Sequence, residues 1–244
     1  MKQKQWRAFL FLCMVAVALI LAACDSDSGN NGSEMVGDSS SSAECTNTYG
    51  TNTVMDCRDG QTYRTATIGT QTWMAENLNY AVDSSWCYES SADSCAKYGR
   101  LYQWAGAMGL SVTYNSTSAT GVISTSQQGV CPAGWHIPTD AEWVTLENTV
   151  GGEDVAGTVL KSMSGWDEGG NGTDTYGFSA LPAGHRDGYG GFGSVGRYAR
   201  FWAVTEVDTL RAYNLYLYYD DAYMGTSSDG KLIAFSVRCL KDAE

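Results

Sequence analysis

Proline, histidine and basic side chains are the scarce groups in this chain. Three prolines and two histidines occur in 244 residues, and 15 Lys and Arg stand against 27 Asp and Glu. A net charge of −12 repels nucleic acid and anionic lipid headgroups, so nucleic acid is not an expected partner. Nucleophilic catalysis needs a base, and only His136 and His185 are available. No G-x-S-x-G elbow occurs. There is no C-x-x-C, and the histidines lack metal-like spacing, which removes the ordinary zinc sites. Ser94-Cys95-Ala96-Lys97 matches S-x-x-K without a K-T-G partner, and the glycines at 191, 193 and 196 match G-x-G-x-x-G with no helix to follow; both read as chance. Past residue 23 there is no long apolar run.

What stands before residue 24 reads as a leader. Lys2, Lys4 and Arg7 form a basic head, and residues 8–23 are apolar or small, shorter than the roughly 20 residues of a spanning helix. Leu21-Ala22-Ala23-Cys24 resembles a bacterial lipobox. That resemblance implies a signal peptide over 1–23, cleavage before Cys24, and acyl chains on its sulfur and new amine that anchor the protein to a membrane. Loss of the three bases takes the charge from −12 to −15. Residues 24–44 carry the lipid cysteine and a polar tether with five acids and no aromatic, whose reach as a Gly/Ser-like coil is about 25 Å.

Composition changes at Cys45. All 15 Tyr and all but one of the eight Trp lie in 45–244, a length and content that suit one domain. Six cysteines fall there too. An even set in an exported chain reads as a disulfide framework with 15 connectivities. Adjacency suggests Cys45–Cys57 and Cys87–Cys95, which leaves Cys131–Cys239 to close a loop of about 108 residues, on the order of 4–5 kcal/mol by loop entropy.

Residues 62–75 predict a hairpin turning near Gly69. Residues 101–108 predict a short helix with Leu101, Trp104, Ala105 and Met108 on one face, and 111–129 a polar surface loop. In "CPAGWHIPTDAEW" Pro138 removes a donor where a helix begins, and Thr139 with Glu142 fits a capping box. A helix over 140–149 follows, with Trp143, Leu146 and Val150 inward, then a second over 153–163 with Val155, Val159 and Met163 inward. Strands are expected at 177–181, 198–204, 211–219 and 233–240, with "RDGYGGFGSVG" and "TSSDGK" as turns between them. The expected class is α+β, two main helices on a twisted, mostly antiparallel sheet with long loops.

Six blocks in order, "DGQTYRTATIGTQTWMAENLNY", "CAKYGRLYQWAGAM", "CPAGWHIPTDAEW", "GFSALPAGHRDG", "YARFWAVTE" and "FSVRCLKD", resemble the Fibrobacter succinogenes major paralogous domain from about 57 to 242. The family consists largely of exported proteins and lipoproteins of fibre-degrading and related bacteria. Its "GWHIPTDAEW" and "GFSVRC" blocks resemble parts of sulfatase-modifying and C-type-lectin-like folds. This implies a lectin-like α+β domain whose two ends meet, in keeping with a Cys131–Cys239 bridge. "GHRDG" stands here where "GYRDG" is commoner, which makes His185 a poor family-wide catalyst.

The residues then support a non-catalytic binding domain on the outer membrane or cell surface, with a plant-cell-wall or other glycan, or a surface protein, as partner. Exposed aromatic faces stack on sugar rings, and Trp166, Tyr189, Tyr218, Tyr219 and Tyr223 are the candidates. No cofactor is required. One calcium site is conceivable in the loop "WDEGGNGTD", from Asp167, Asn171 and Asp174, although the EF-hand pattern fails there. His136 reads as a packed histidine and His185-Arg186-Asp187 as a loop ion pair. The alternatives are an exported enzyme of sulfatase-modifying type, which needs reduced cysteines, and a purely structural surface lipoprotein.

Overall fold

The computed structural model describes residues 45–243. The leader, Cys24 and the tether lie outside the described residues. Strands β1 (Thr48–Gly50), β2 (Thr53–Met55), β3 (Thr62–Ile68) and β4 (Gln71–Met74) form a meander. Then come β5 (Ser85–Trp86), α1 (Ala92–Tyr98), β6 (Leu101–Gln103) and the single turn α2 (Trp104–Ala107). A long loop leads to β7 (Trp135–His136), α3 (Asp140–Thr149) and α4 (Glu153–Leu160). Next are β8 (His185–Arg186), β9 (Phe192–Gly193), β10 (Tyr198–Glu206), β11 (Arg211–Tyr218) and β12 (Met224–Gly230). The described chain closes with β13 (Ala234–Phe235) and β14 (Leu240–Lys241).

All strand pairs are antiparallel, in three sheets ordered β1-β2-β3-β4-β14-β7, β5-β6-β13-β8-β9 and β10-β11-β12. The fold is α+β, with few helices on antiparallel sheets. β14 lies between β4 and β7, so the last strand knits the early hairpin to the "GWH" block. Three disulfides, Cys45–Cys57, Cys87–Cys95 and Cys131–Cys239, hold the loops and the two ends.

Local chemistry explains α3 to the residue. Thr139 Oγ1 accepts the Glu142 N–H at 3.1 Å, and Glu142 Oε2 accepts the Thr139 N–H at 2.8 Å. Those two bonds satisfy donors that a helix start leaves bare. Trp143, Leu146 and Val150 are buried beneath it.

The second helix differs from its expected face. It ends at Leu160 and buries Ala156, Gly157 and Leu160, while Val155 and Met163 are exposed. Gly157 decides this: its N–H donates to the Ala222 carbonyl at 2.8 Å, and a Cβ there would lie 2.3 Å from that oxygen. Elsewhere, 101–103 pair as a strand with β5 and β13, which leaves the predicted helix one turn. Residues 177–181 form no strand, only a bridge from Ala180 to Lys161. "TSSDGK" is no turn, since most of it lies in β12, held by its register on β11.

The expected strand at 233–240 is cut in two around Arg238. This arginine is fully buried. Its Nη1 donates to the Met74 carbonyl at 3.0 Å and to that of Phe178, and its Nη2 to Asn77 Oδ1 at 2.7 Å. Phe178 and Phe201 flank the guanidinium at 4.4 and 5.3 Å. Burial pulls its pKa down, and backbone carbonyls take the place of a carboxylate. One side chain thus ties three distant segments.

Aromatics fill the interior. Trp73, Trp143, Phe178 and Phe201 form one nest, with Trp73 and Trp143 at 4.6 Å. Trp104, Trp135, Trp202, Tyr102 and Phe235 centre another. Six of the seven described tryptophans are buried. Each removes roughly 150–250 Å² from water, about 4–6 kcal/mol at ~25 cal per Å².

Candidate functional site

A cleft of about 940 Å³ lies where β7 runs into α3. His136 forms part of its wall, between two carboxylates: Nδ1 meets Asp242 Oδ1 at 2.7 Å and Nε2 meets Glu142 Oε1 at 3.0 Å. The capping box fixes Glu142, and β14 delivers Asp242 just after pairing Leu240 with His136. Burial works to lower the His136 pKa, but the two carboxylates outweigh it and raise it. Burial likewise works to raise Glu142, and His136 with Thr139 pulls it down. Across the cleft Glu206 takes Lys231 Nζ at 2.6 Å and the Ser118 hydroxyl at 2.6 Å. Despite its burial these donors bring Glu206 down to about 2. Both imidazole nitrogens are engaged, so neither is free to take a proton from a nucleophile. The walls carry hydroxyls and carboxylates, such as Thr125, Thr139 and Asp140, and no Phe, Tyr or Trp among the described residues.

The aromatic surface lies elsewhere. In the β10–β11–β12 sheet, Ala199, Phe201, Leu215, Leu217 and Met224 are buried in one of the two aromatic nests. The alternate residues face the other way: Tyr198 pairs with Tyr218 and Arg200 with Tyr216. The rings of Tyr198 and Tyr218 are 4.4 Å apart, and Tyr219 lies edge-on to Tyr218 at 4.7 Å. Gly225 sits opposite Tyr216, where a Cβ would come within 2.5 Å of Tyr216 Cζ and 2.6 Å of Tyr223 Cε1. The missing side chain lets both rings lie over β12, with centres 6.4 Å apart. Arg200 spreads over Tyr198 and Tyr216 at 5.1 and 5.7 Å and pairs with Asp229. Arg197 covers Tyr219 at 5.2 Å and pairs with Asp167 and Glu168. All five tyrosines are half-buried.

Of the residues chosen from sequence, Tyr218, Tyr219 and Tyr223 come together here. Tyr198 and Tyr216 were missed, although alternation along the expected strands points to both. Trp166 is a correction. It is buried, its indole N–H donating to Ser162 Oγ at 3.1 Å and the Ala180 carbonyl at 3.2 Å, so its face is closed to a ligand. Tyr189 is fully exposed but stands apart, at the tip of the β8–β9 hairpin. The proposed calcium oxygens have separate partners. Asp167 meets Arg197 at 3.4 Å, Asn171 Oδ1 accepts the Trp166 N–H at 3.1 Å, and Asp174 accepts the Ser179 N–H at 2.7 Å. Among the described residues no cluster of three or more His, Cys, Asp or Glu is arranged to hold a metal. His185-Arg186-Asp187 is not an ion pair: Asp187 accepts the Tyr189 and Gly191 N–H groups, each at 2.8 Å.

These features define a disulfide-bonded α+β domain with a tyrosine-faced sheet. Over residues 66–241 the chain matches the Fibrobacter succinogenes major domain, and it belongs to that family. No curated protein and no solved structure matches it. No helix among the described residues is long and apolar enough to cross a membrane.

Proposed function

We propose that this domain is the non-catalytic binding module of an exported, lipid-anchored surface protein, and that it holds a polysaccharide on the tyrosine face of β10–β12. The observation that carries this reading is the continuous run of ring contacts from Tyr198 through Tyr218 to Tyr219, with Tyr216 and Tyr223 beside it. Each ring offers an apolar face with a polar tip, the pairing that a sugar ring also presents. Arg197 and Arg200 are balanced by their own carboxylates, which suits an uncharged sugar chain. The lipobox-like Cys24 supports attachment to the outer membrane or cell surface. A C-type-lectin-like identity for the fold is supported by the strand that joins both ends and by the Cys131–Cys239 bridge across them.

A sulfatase-modifying type of enzyme needs reduced cysteines, and all six described cysteines are in disulfides. The test is retention of the full-length protein, in detergent, on insoluble cellulose, xylan and mannan and on a soluble glycan panel, with calcium and with chelator. Selective retention that weakens about tenfold in Tyr218→Ala is the expected result, the size of one lost stacking contact. Loss with chelator would bring Asp167, Asn171 and Asp174 back into the site. Release of soluble sugar would favour an exported enzyme. No retention on any sugar overturns the reading and leaves a protein partner or a purely structural role.

A further inference from the structure

Arg186 takes no part in the tyrosine face. Register across β6, β13, β8 and β9 sets Gln103, Ala234, Arg186 and Phe192 in one row. Trp86 pairs with Leu101 on the same face. Ala234 has only a methyl group and is buried, which leaves room above β13 for the guanidinium to reach toward the indole. The Arg186 guanidinium carbon lies 4.1 Å from the centre of the Trp86 ring and 5.9 Å from that of Phe192. Tyr88 braces Phe192 at 5.2 Å. Gly190 lets the hairpin turn close over the fork, since a Cβ there would sit 3.1 Å from Nη2.

The charge at this place is unusual for so acidic a chain. Among the other described arginines, Arg100 and Arg238 donate to protein oxygens, and the remaining five each face a carboxylate. Arg186 has aromatic neighbours on two sides and, among the described residues, no carboxylate within ion-pair distance and no acceptor for its N–H groups. Asp187, its neighbour in sequence, gives its carboxylate to the hairpin backbone. A guanidinium held flat by rings keeps its donors in a fixed plane, and that fork matches a carboxylate in bidentate fashion.

We propose that Arg186 is a carboxylate-recognition point, and that its ligand is an isolated uronate on an otherwise neutral polysaccharide. The proposal rests on the polysaccharide reading above. A chain of net charge −12 repels a dense polyanion, so one half-buried guanidinium with no carboxylate of its own selects a sparse anionic group. Tyr189, fully exposed three residues along the same hairpin, offers a ring to the sugar that carries the uronate.

The test compares binding of the full-length protein to glucuronoxylan and to the same polymer after carboxyl reduction, which needs no variant. The native protein is expected to prefer the uronate form about tenfold or more, the size of a charge-assisted bond. Arg186→Gln should erase the preference while leaving binding of the reduced polymer and the unfolding midpoint unchanged. Arg186→Lys should keep part of it, since the charge stays and the fork goes. Equal binding of both polymers overturns the assignment of Arg186 and leaves the polysaccharide reading standing. Binding of neither, nor of any neutral glycan, overturns both. Arg186-dependent capture of a Glu-rich peptide in place of the uronate polymer overturns the choice of ligand.

Discussion

Two aromatic assemblies share the β10–β11–β12 sheet, one on each face. On the inner face Phe201 stacks on Trp143, which in turn meets Trp73, and every ring is covered on both sides. On the outer face Tyr198, Tyr216 and Tyr218 lie over the strands with one side half open. The difference follows from the residue types. Phe has no polar atom to satisfy, and Trp has one N–H on a large apolar body; Tyr keeps a hydroxyl that does best where water or a ligand can reach it. Along β10 Ala199, Phe201 and Ala203 face the inner nest, while the alternate Tyr198 and Arg200 open the other face before Trp202 and Val204 close it into the second nest.

The predictions separate the two faces. Trp143→Ala on the inner face should cost about 3–5 kcal/mol, read by urea unfolding, because three ring neighbours lose contact and a cavity remains. Replacing Cys131 and Cys239 together by Ser should cost about 2–5 kcal/mol in the same assay, through the freed 108-residue loop.

A third prediction concerns the His136 row and its pH dependence. The raised His136 pKa makes a contribution complete below the ordinary imidazole value of 6.5 and lost as pH rises through its higher folded value. The lowered Glu142 pKa makes one complete above the ordinary 4.5 and lost as pH falls through its lower folded value. The row is therefore strongest between 4.5 and 6.5. Stability should fall by about 1–3 kcal/mol between pH 6 and pH 9, and the fall should be missing in His136→Gln. Tyr216→Ala on the outer face should cost least in stability, under about 1 kcal/mol, while weakening glycan retention about tenfold.

Part of this was legible from residues alone. α3 was readable to its cap because Thr139 and Glu142 are three residues apart and the chemistry is local. The 62–75 hairpin was readable for the same reason. β12 was not: Gly225, Ser227, Ser228, Asp229 and Gly230 carry little strand preference, and β11 supplies the order. α4 turned a different face inward because a backbone carbonyl at Ala222 fits only against Gly157. Asp242 was invisible as a partner of His136, being 106 residues away in sequence. Trp166 sits in loop-like sequence that suggests exposure, yet its indole turns in to Ser162 and Ala180.

The most direct test of the account is a binding isotherm on the polysaccharide that retains the native protein, measured for native chain and for Tyr198→Ala/Tyr218→Ala, each with its unfolding midpoint. The account predicts at least about tenfold weaker binding with the midpoint held within a few degrees. Equal binding by the double variant, with its fold intact, would contradict the claim that the tyrosine face is the binding surface.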